Sequence, residues 1–247
     1  MCELFSLSCN QEDRATRSLP IFSELYSERN PDGWGIGWFE GNTAHHKSAP
    51  GRADADSMYE KAMEKARSNT IIAHVRYATG DTECSERNCH PFKHIHRDRG
   101  WLFAHNGFLE NEFEIHPNAQ GETDSETIFH EIIDKASEYQ QNGTFKGQYP
   151  AIKAGIKHIL SKHGARSRLN LMISDGRTLY IFHHYQWYDG RPKPIFMLRR
   201  QKRYGSAILL STQRLTDENW EPIPQDCLLA ISGGEILVMS DPLIRSS

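Results

Sequence analysis

Two long amphipathic segments lie side by side in the middle of this chain, with β-rich sequence before and after them. That order constrains the fold more than any other feature. The first segment covers residues 124–139, with Thr123 or Asp124 as its cap and Ile128, Phe129, Ile132 and Ile133 at three-to-four spacing. The second covers residues 149–163, with Ile152, Ile156, Ile159 and Leu160 on one face and Gly164 as its stop. Ahead of them, residues 34–39, 70–75 and 101–104 read as short strands rich in aromatic and β-branched side chains. Behind them, residues 169–174 and 179–184 flank Asp175-Gly176 as a hairpin-like turn, and residues 208–211, 228–231 and 236–239 complete the set. Strands, two central helices and strands again predict an α+β arrangement in layers. No repeat, low-complexity tract or linker divides the sequence, so residues 1–247 read as a single domain.

Composition excludes several classes of function. Net charge is −3, which gives no reason to expect nucleic acid or an anionic membrane as the main partner. No apolar run approaches the roughly 18–20 residues that span a bilayer. The opening residues, Met1 to Cys9, lack the basic region and apolar run of an export signal. The five cysteines are an odd number in a mid-sized chain, which suits reduced thiols and a cytoplasmic location better than a disulfide frame.

Cys2 carries the first chemical hint. Removal of Met1 would leave a residue bearing both a thiol and a free α-amine, whose pKa of about 7.7–8.0 lets it act as base for that thiol. Four further segments stand out. Arg29-Asn30-Pro31-Asp32-Gly33-Trp34-Gly35-Ile36-Gly37 is a glycine-rich approach to a strand, and on residues alone a tight turn is the better reading. Arg76 and Thr79, after the strand at 70–75, can grip a carboxylate or form an ordinary surface pair. Asn106-Gly107 offers a side-chain amide and a backbone N–H to an oxyanion, yet the same dipeptide favours a type I′ hairpin turn. Asp124 can cap a helix or accept from a substrate ammonium.

Taken in order, these pieces resemble the class II glutamine amidotransferase domain of the N-terminal-nucleophile (Ntn) hydrolases, particularly its short stand-alone form. The likeness rests on Cys2, the Arg29-x-x-Asp32-Gly33 turn, Arg76-Tyr77-Ala78-Thr79-Gly80, Asn88-x-His90-Pro91, His105-Asn106-Gly107 and Glu122-Thr123-Asp124-Ser125-Glu126, and it extends over almost the whole chain. It implies a four-layer α/β/β/α sandwich of two antiparallel sheets. It also implies roles: Cys2 as nucleophile, Asn106 and Gly107 as oxyanion hole, Arg76 with Thr79 on a substrate α-carboxylate, and Asp124 on its α-ammonium. Arg29, Asp32 and His90 are implied as supporting positions. One departure is Asn30, where relatives often carry glycine.

The implied reaction cleaves the γ-amide of glutamine through a thioester on the N-terminal cysteine, releasing glutamate and ammonia. The ammonia would pass to a separate accepting synthase, since no synthase segment is recognisable in these residues. Two other readings are open: hydrolysis of a γ-glutamyl conjugate of a small amine, thiol metabolite or peptide, and a non-catalytic protein that senses glutamine. No cofactor is expected. The spacing of Cys84, Cys89, His90, His94 and His96 does not match a common zinc site, so no metal is expected either.

Overall fold

The computed structural model describes residues 2–78, 82–141, 147–164, 166–185, 193–202 and 205–244. The first half contains β1 (Glu3–Asp13), α1 (Ser18–Tyr26), β2 (Gly33–Glu40), β3 (Thr43–Ala49), α2 (Ser57–Lys65), β4 (Ser68–Arg76), β5 (Phe92–His96) and β6 (Arg99–Phe108). The central helices follow as α3 (Asp124–Gln141) and α4 (Gln148–His163). The chain then returns to strands: β7 (Arg168–Ser174), β8 (Leu179–His184), β9 (Phe196–Lys202), β10 (Gly205–Ser211), β11 (Glu221–Pro222), β12 (Leu228–Ser232) and β13 (Glu235–Met239).

These strands form two sheets, ordered β11-β9-β10-β1-β4-β2-β3 and β13-β12-β8-β7-β6-β5. Their pairings are antiparallel. Side chains alternate across a strand, so each strand feeds two different cores. In β1 and β4, Phe5, Leu7, Ile71, Ala73 and Val75 pack with Leu19 and Phe22 of α1 and Tyr59 and Ala62 of α2. In β6, Trp101 and Phe103 join Ile128, Phe129 and Ile132 of α3 and Ile152 and Ile156 of α4. The opposite faces, among them Leu4, Ile72, Leu102 and Ala104, meet between the sheets. The layers are therefore helices, sheet, sheet, helices, which is the four-layer sandwich that the family resemblance implied. No helix among the described residues is long and apolar enough to cross a membrane.

Local chemistry sets the ends of α3 and α4. Thr123 caps α3, its Oγ1 accepting from Glu126 N at 3.2 Å. Gly164 ends α4 at φ +93°, a conformation that favours glycine. Asp175-Gly176 turns β7 into β8 as read from the sequence, with Asp175 Oδ1 accepting from Arg177 N at 3.1 Å and Thr178 N at 2.9 Å.

Candidate functional site

The alternation that fills the inter-sheet core also aims the polar residues at its end. Cys2 follows the parity of Leu4 in β1, Arg76 that of Ile72 in β4, and Asn106 that of Leu102 and Ala104 in β6. Strand parity thus directs one side chain from each of these elements toward the space between the sheets at one end of the sandwich. Cys2 is half-buried there. Its Sγ–H donates to Tyr77 O at 3.3 Å, and Sγ accepts from Tyr77 N at 3.2 Å. Its carbonyl accepts from Asn106 Nδ2 and, at 3.2 Å, from Lys193 Nζ. Desolvation pushes the thiol above its ordinary pKa, while the Tyr77 N–H and the Lys193 charge pull the other way. A thiol so placed keeps its proton near neutrality and needs a base to become a nucleophile.

Asn106-Gly107 is not a hairpin turn. Both residues lie inside β6, where Asn106 opposes Asn170 and Gly107 opposes Leu169. The glycine is required by close approach: a Cβ at Gly107 would lie 1.6 Å from Arg168 O. The preceding His105 is buried, bridging Ser125 Oγ and Arg168 O at 2.9 Å each. Burial lowers its pKa, opposed by the nearby Asp124 carboxylate.

Arg76 is buried, and its Nη1 donates to Glu83 O at 3.1 Å. Asn88 binds the same carbonyl through Nδ2 at 3.1 Å and also reaches Glu122 Oε1 at 3.1 Å. Glu122 N returns the contact to Asn88 Oδ1 at 3.0 Å. The segment around Asn88 and the start of α3 are therefore bonded to each other and, through Glu83, to Arg76. Asp32 joins this group through the main chain: its N–H donates to Arg76 O at 3.1 Å and its carboxylate accepts from Ala78 N at 2.8 Å.

Asp124 takes a position that neither capping nor solvent exposure describes. Its Oδ2 accepts from Leu109 N at 3.0 Å and its Oδ1 from Ser125 Oγ at 3.2 Å, so it anchors the chain leaving β6. His90 is buried with its ring centroid 4.3 Å from that of His74. Burial drives both imidazoles strongly toward the neutral form, His74 to about 3. Arg29 is exposed on the turn ahead of β2, outside this bonded group. Thr79 lies outside the described residues. The sequence reading missed Lys193, Glu3 and Glu83, which sit in no pattern that marks chemistry, and gave no role to His74, which stands two residues before Arg76 in the segment read as a carboxylate grip.

Comparisons with known proteins agree with this architecture. The family model for class II glutamine amidotransferases matches residues 1–246. The uncharacterized protein MJ1515 of Methanocaldococcus jannaschii is 26% identical over 262 aligned residues, spanning 96% of this chain and 71% of that protein. A gamma-glutamyl-hercynylcysteine sulfoxide hydrolase of Mycobacterium tuberculosis is 26% identical over 208 residues, spanning 82% of this chain and 76% of the hydrolase. Among solved structures, glutamine phosphoribosylpyrophosphate amidotransferase of B. subtilis superposes with a TM-score of 0.70 at 18% identity. That superposition covers 99% of this chain but only 50% of the larger protein, and at such identity it speaks for the fold.

Proposed function

The chain belongs to the class II glutamine amidotransferases, and we propose that it is an amidohydrolase that cleaves the γ-amide of glutamine through Cys2 after Met1 is removed. The observation that carries this reading is the bonding of Cys2 to both sheets at once, through Tyr77 beyond β4 and Asn106 on β6.

The steps follow from where charge and protons go. The α-amine of Cys2 takes the thiol proton as Sγ attacks the γ-carbonyl carbon. The oxyanion that forms is assigned to the second N–H of the Asn106 amide and the Gly107 N–H. Collapse of the intermediate breaks the C–N bond, and the ammonium form of the amine returns its proton to the departing nitrogen. Water then attacks the thioester, the amine accepts its proton and passes one to sulfur, and glutamate leaves. Arg76, with Thr79, is assigned to the α-carboxylate and Asp124 to the α-ammonium, so that a free glutamyl end is required. Asp32, His90 and Arg29 are assigned supporting roles. The ammonia would serve a separate accepting synthase. No cofactor takes part in this scheme, and the five unpaired cysteines suit the reducing cytoplasm.

A second reading is favoured by two observations. Tyr77 and Phe108 follow Arg76 and Gly107 directly and stand 46% and 36% exposed, apolar surface that a leaving group larger than ammonia would cover. The M. tuberculosis relative is named for hydrolysis of a γ-glutamyl conjugate. Glutamate release by the Met1-free protein from glutamine and from a panel of γ-glutamyl amines, thiol conjugates and peptides separates the two readings. A preference for glutamine supports the first, a preference for a bulky conjugate the second, and release from neither overturns both in favour of a non-catalytic glutamine-sensing protein.

A further inference from the structure

One buried cation beside Cys2 has no part in the scheme above. Lys193 is 3% exposed, yet its ammonium reaches the Cys2 carbonyl at 3.2 Å and lies 3.7 Å from Glu3 Oε1. The Tyr185 ring centroid is 5.7 Å away. Its main chain is fixed on both sides, the N–H donating to Tyr185 O at 3.0 Å and the carbonyl accepting from Asn170 Nδ2 at 3.2 Å. Glu3 is equally built in, accepting from Thr212 Oγ1 and, at 3.2 Å, from Gln213 Nε2. Burying a lysine and a glutamate is costly and does little for stability compared with an apolar pair of the same size. Their position against the candidate nucleophile gives that cost a use.

We infer that Lys193 is a positioning residue for Cys2, clamping its carbonyl together with Asn106 and holding a positive charge beside its thiol and amine. The inference rests on the reading of Cys2 as nucleophile. Two donors on one carbonyl hold the peptide plane after Cys2 in place, while Sγ is held separately between Tyr77 N and Tyr77 O. The charge favours the thiolate over the thiol and the free amine over the ammonium. Glu3, on β1 itself, opposes it. From the elements around Cys2, Arg76 is turned to Glu83, the Asp32 carboxylate is occupied by Ala78 N, and Asn106 is neutral. His105 and Asp124 bond toward Ser125 and Leu109 at the start of α3 and the exit of β6. Among the described side chains, Lys193 and Glu3 thus act on the Cys2 thiol in opposite directions.

The test uses the full chain with Met1 removed, alkylated by iodoacetamide from about pH 6 to 10, a range that brackets the amine and thiol. Modification of Cys2 is followed by peptide mass, and glutamate release is measured in parallel. Lys193→Met should raise the pH midpoint of Cys2 alkylation by about one unit and slow turnover about tenfold. Lys193→Arg should keep the midpoint, and Glu3→Gln should lower it. Where Lys193→Met alone does not fold, the double variant Lys193→Met/Glu3→Gln removes both charges of the pair, and its midpoint should lie above that of Glu3→Gln. A midpoint that ignores Lys193→Met, or a double variant that titrates with Glu3→Gln, overturns the inference. If the wild-type protein releases no glutamate while the midpoints move as stated, the clamp stands and the proposed reaction falls.

Discussion

The side-chain amide of Asn106 donates to the main-chain carbonyl of Cys2, which joins the end of β6 in one sheet to the residue just ahead of β1 in the other. The two sheets meet through the apolar layer of Leu4, Ile72, Leu102 and their neighbours. The packing of that layer therefore sets the geometry at Cys2, and a change in how the sheets stack would be felt at the sulfur.

Asn106→Ala should lower kcat for glutamate release by about 10²–10³-fold with little change in KM, the usual loss on removing one oxyanion donor. Steady-state kinetics check this. A rise in KM at constant kcat would assign Asn106 to substrate binding instead.

Arg76→Ala should reduce kcat/KM on substrates with a free α-carboxylate by about 100-fold, in line with a charge-assisted hydrogen bond worth ~1.5–3 kcal/mol. A γ-glutamyl substrate with that carboxylate blocked should be nearly indifferent. Equal losses on both would mean that Arg76 acts through its bond to Glu83 O.

Gly107→Ala should unfold at lower denaturant concentration, because the added methyl would sit 1.6 Å from Arg168 O and push β6 away from β7. The loss should be at least about 2 kcal/mol, in the range of overpacked interiors. A chemical denaturation curve with unchanged slope reads it directly.

Stability should fall as the solution is acidified through the histidine range. His74 is lowered by burial from near 6.5 to about 3, and His183 to about 4 for the same reason. Between those values and about pH 6.5 the unfolded chain binds protons that the native protein does not. Stability is then full above about pH 6.5 and declines below it, each buried histidine adding a slope approaching ~1.4 kcal/mol per pH unit. His74→Gln should flatten the curve of unfolding free energy against pH, whereas an unchanged slope would show that His74 already carries its proton in the native state.

The helices at the centre were legible because Ile128, Ile132, Ile152 and Ile156 recur at helical spacing against one face, and tertiary packing used that face. β1 was not legible. Ser6 and Ser8 are buried on its inter-sheet side, so its alternation does not read as a strand with one face in water. α1 and α2 have nine residues each, too short for spacing to stand out. At Asn106-Gly107 the local preference for a turn lost to pairing with Asn170 and Leu169 on β7. Asp124 was legible as a helix-start residue, but its bond to Leu109 N depends on where β6 ends. Lys193 stands between two prolines with no periodicity around it, and only the fold brings it to Cys2.

The most direct measurement is glutamate release by protein whose intact mass shows that Met1 is gone, set beside protein that retains Met1 and beside Cys2→Ala. The account predicts release by the Met1-free wild type alone, with γ-glutamyl ligand still bound by Cys2→Ala. Turnover by the Met1-bearing form or by Cys2→Ala would contradict it.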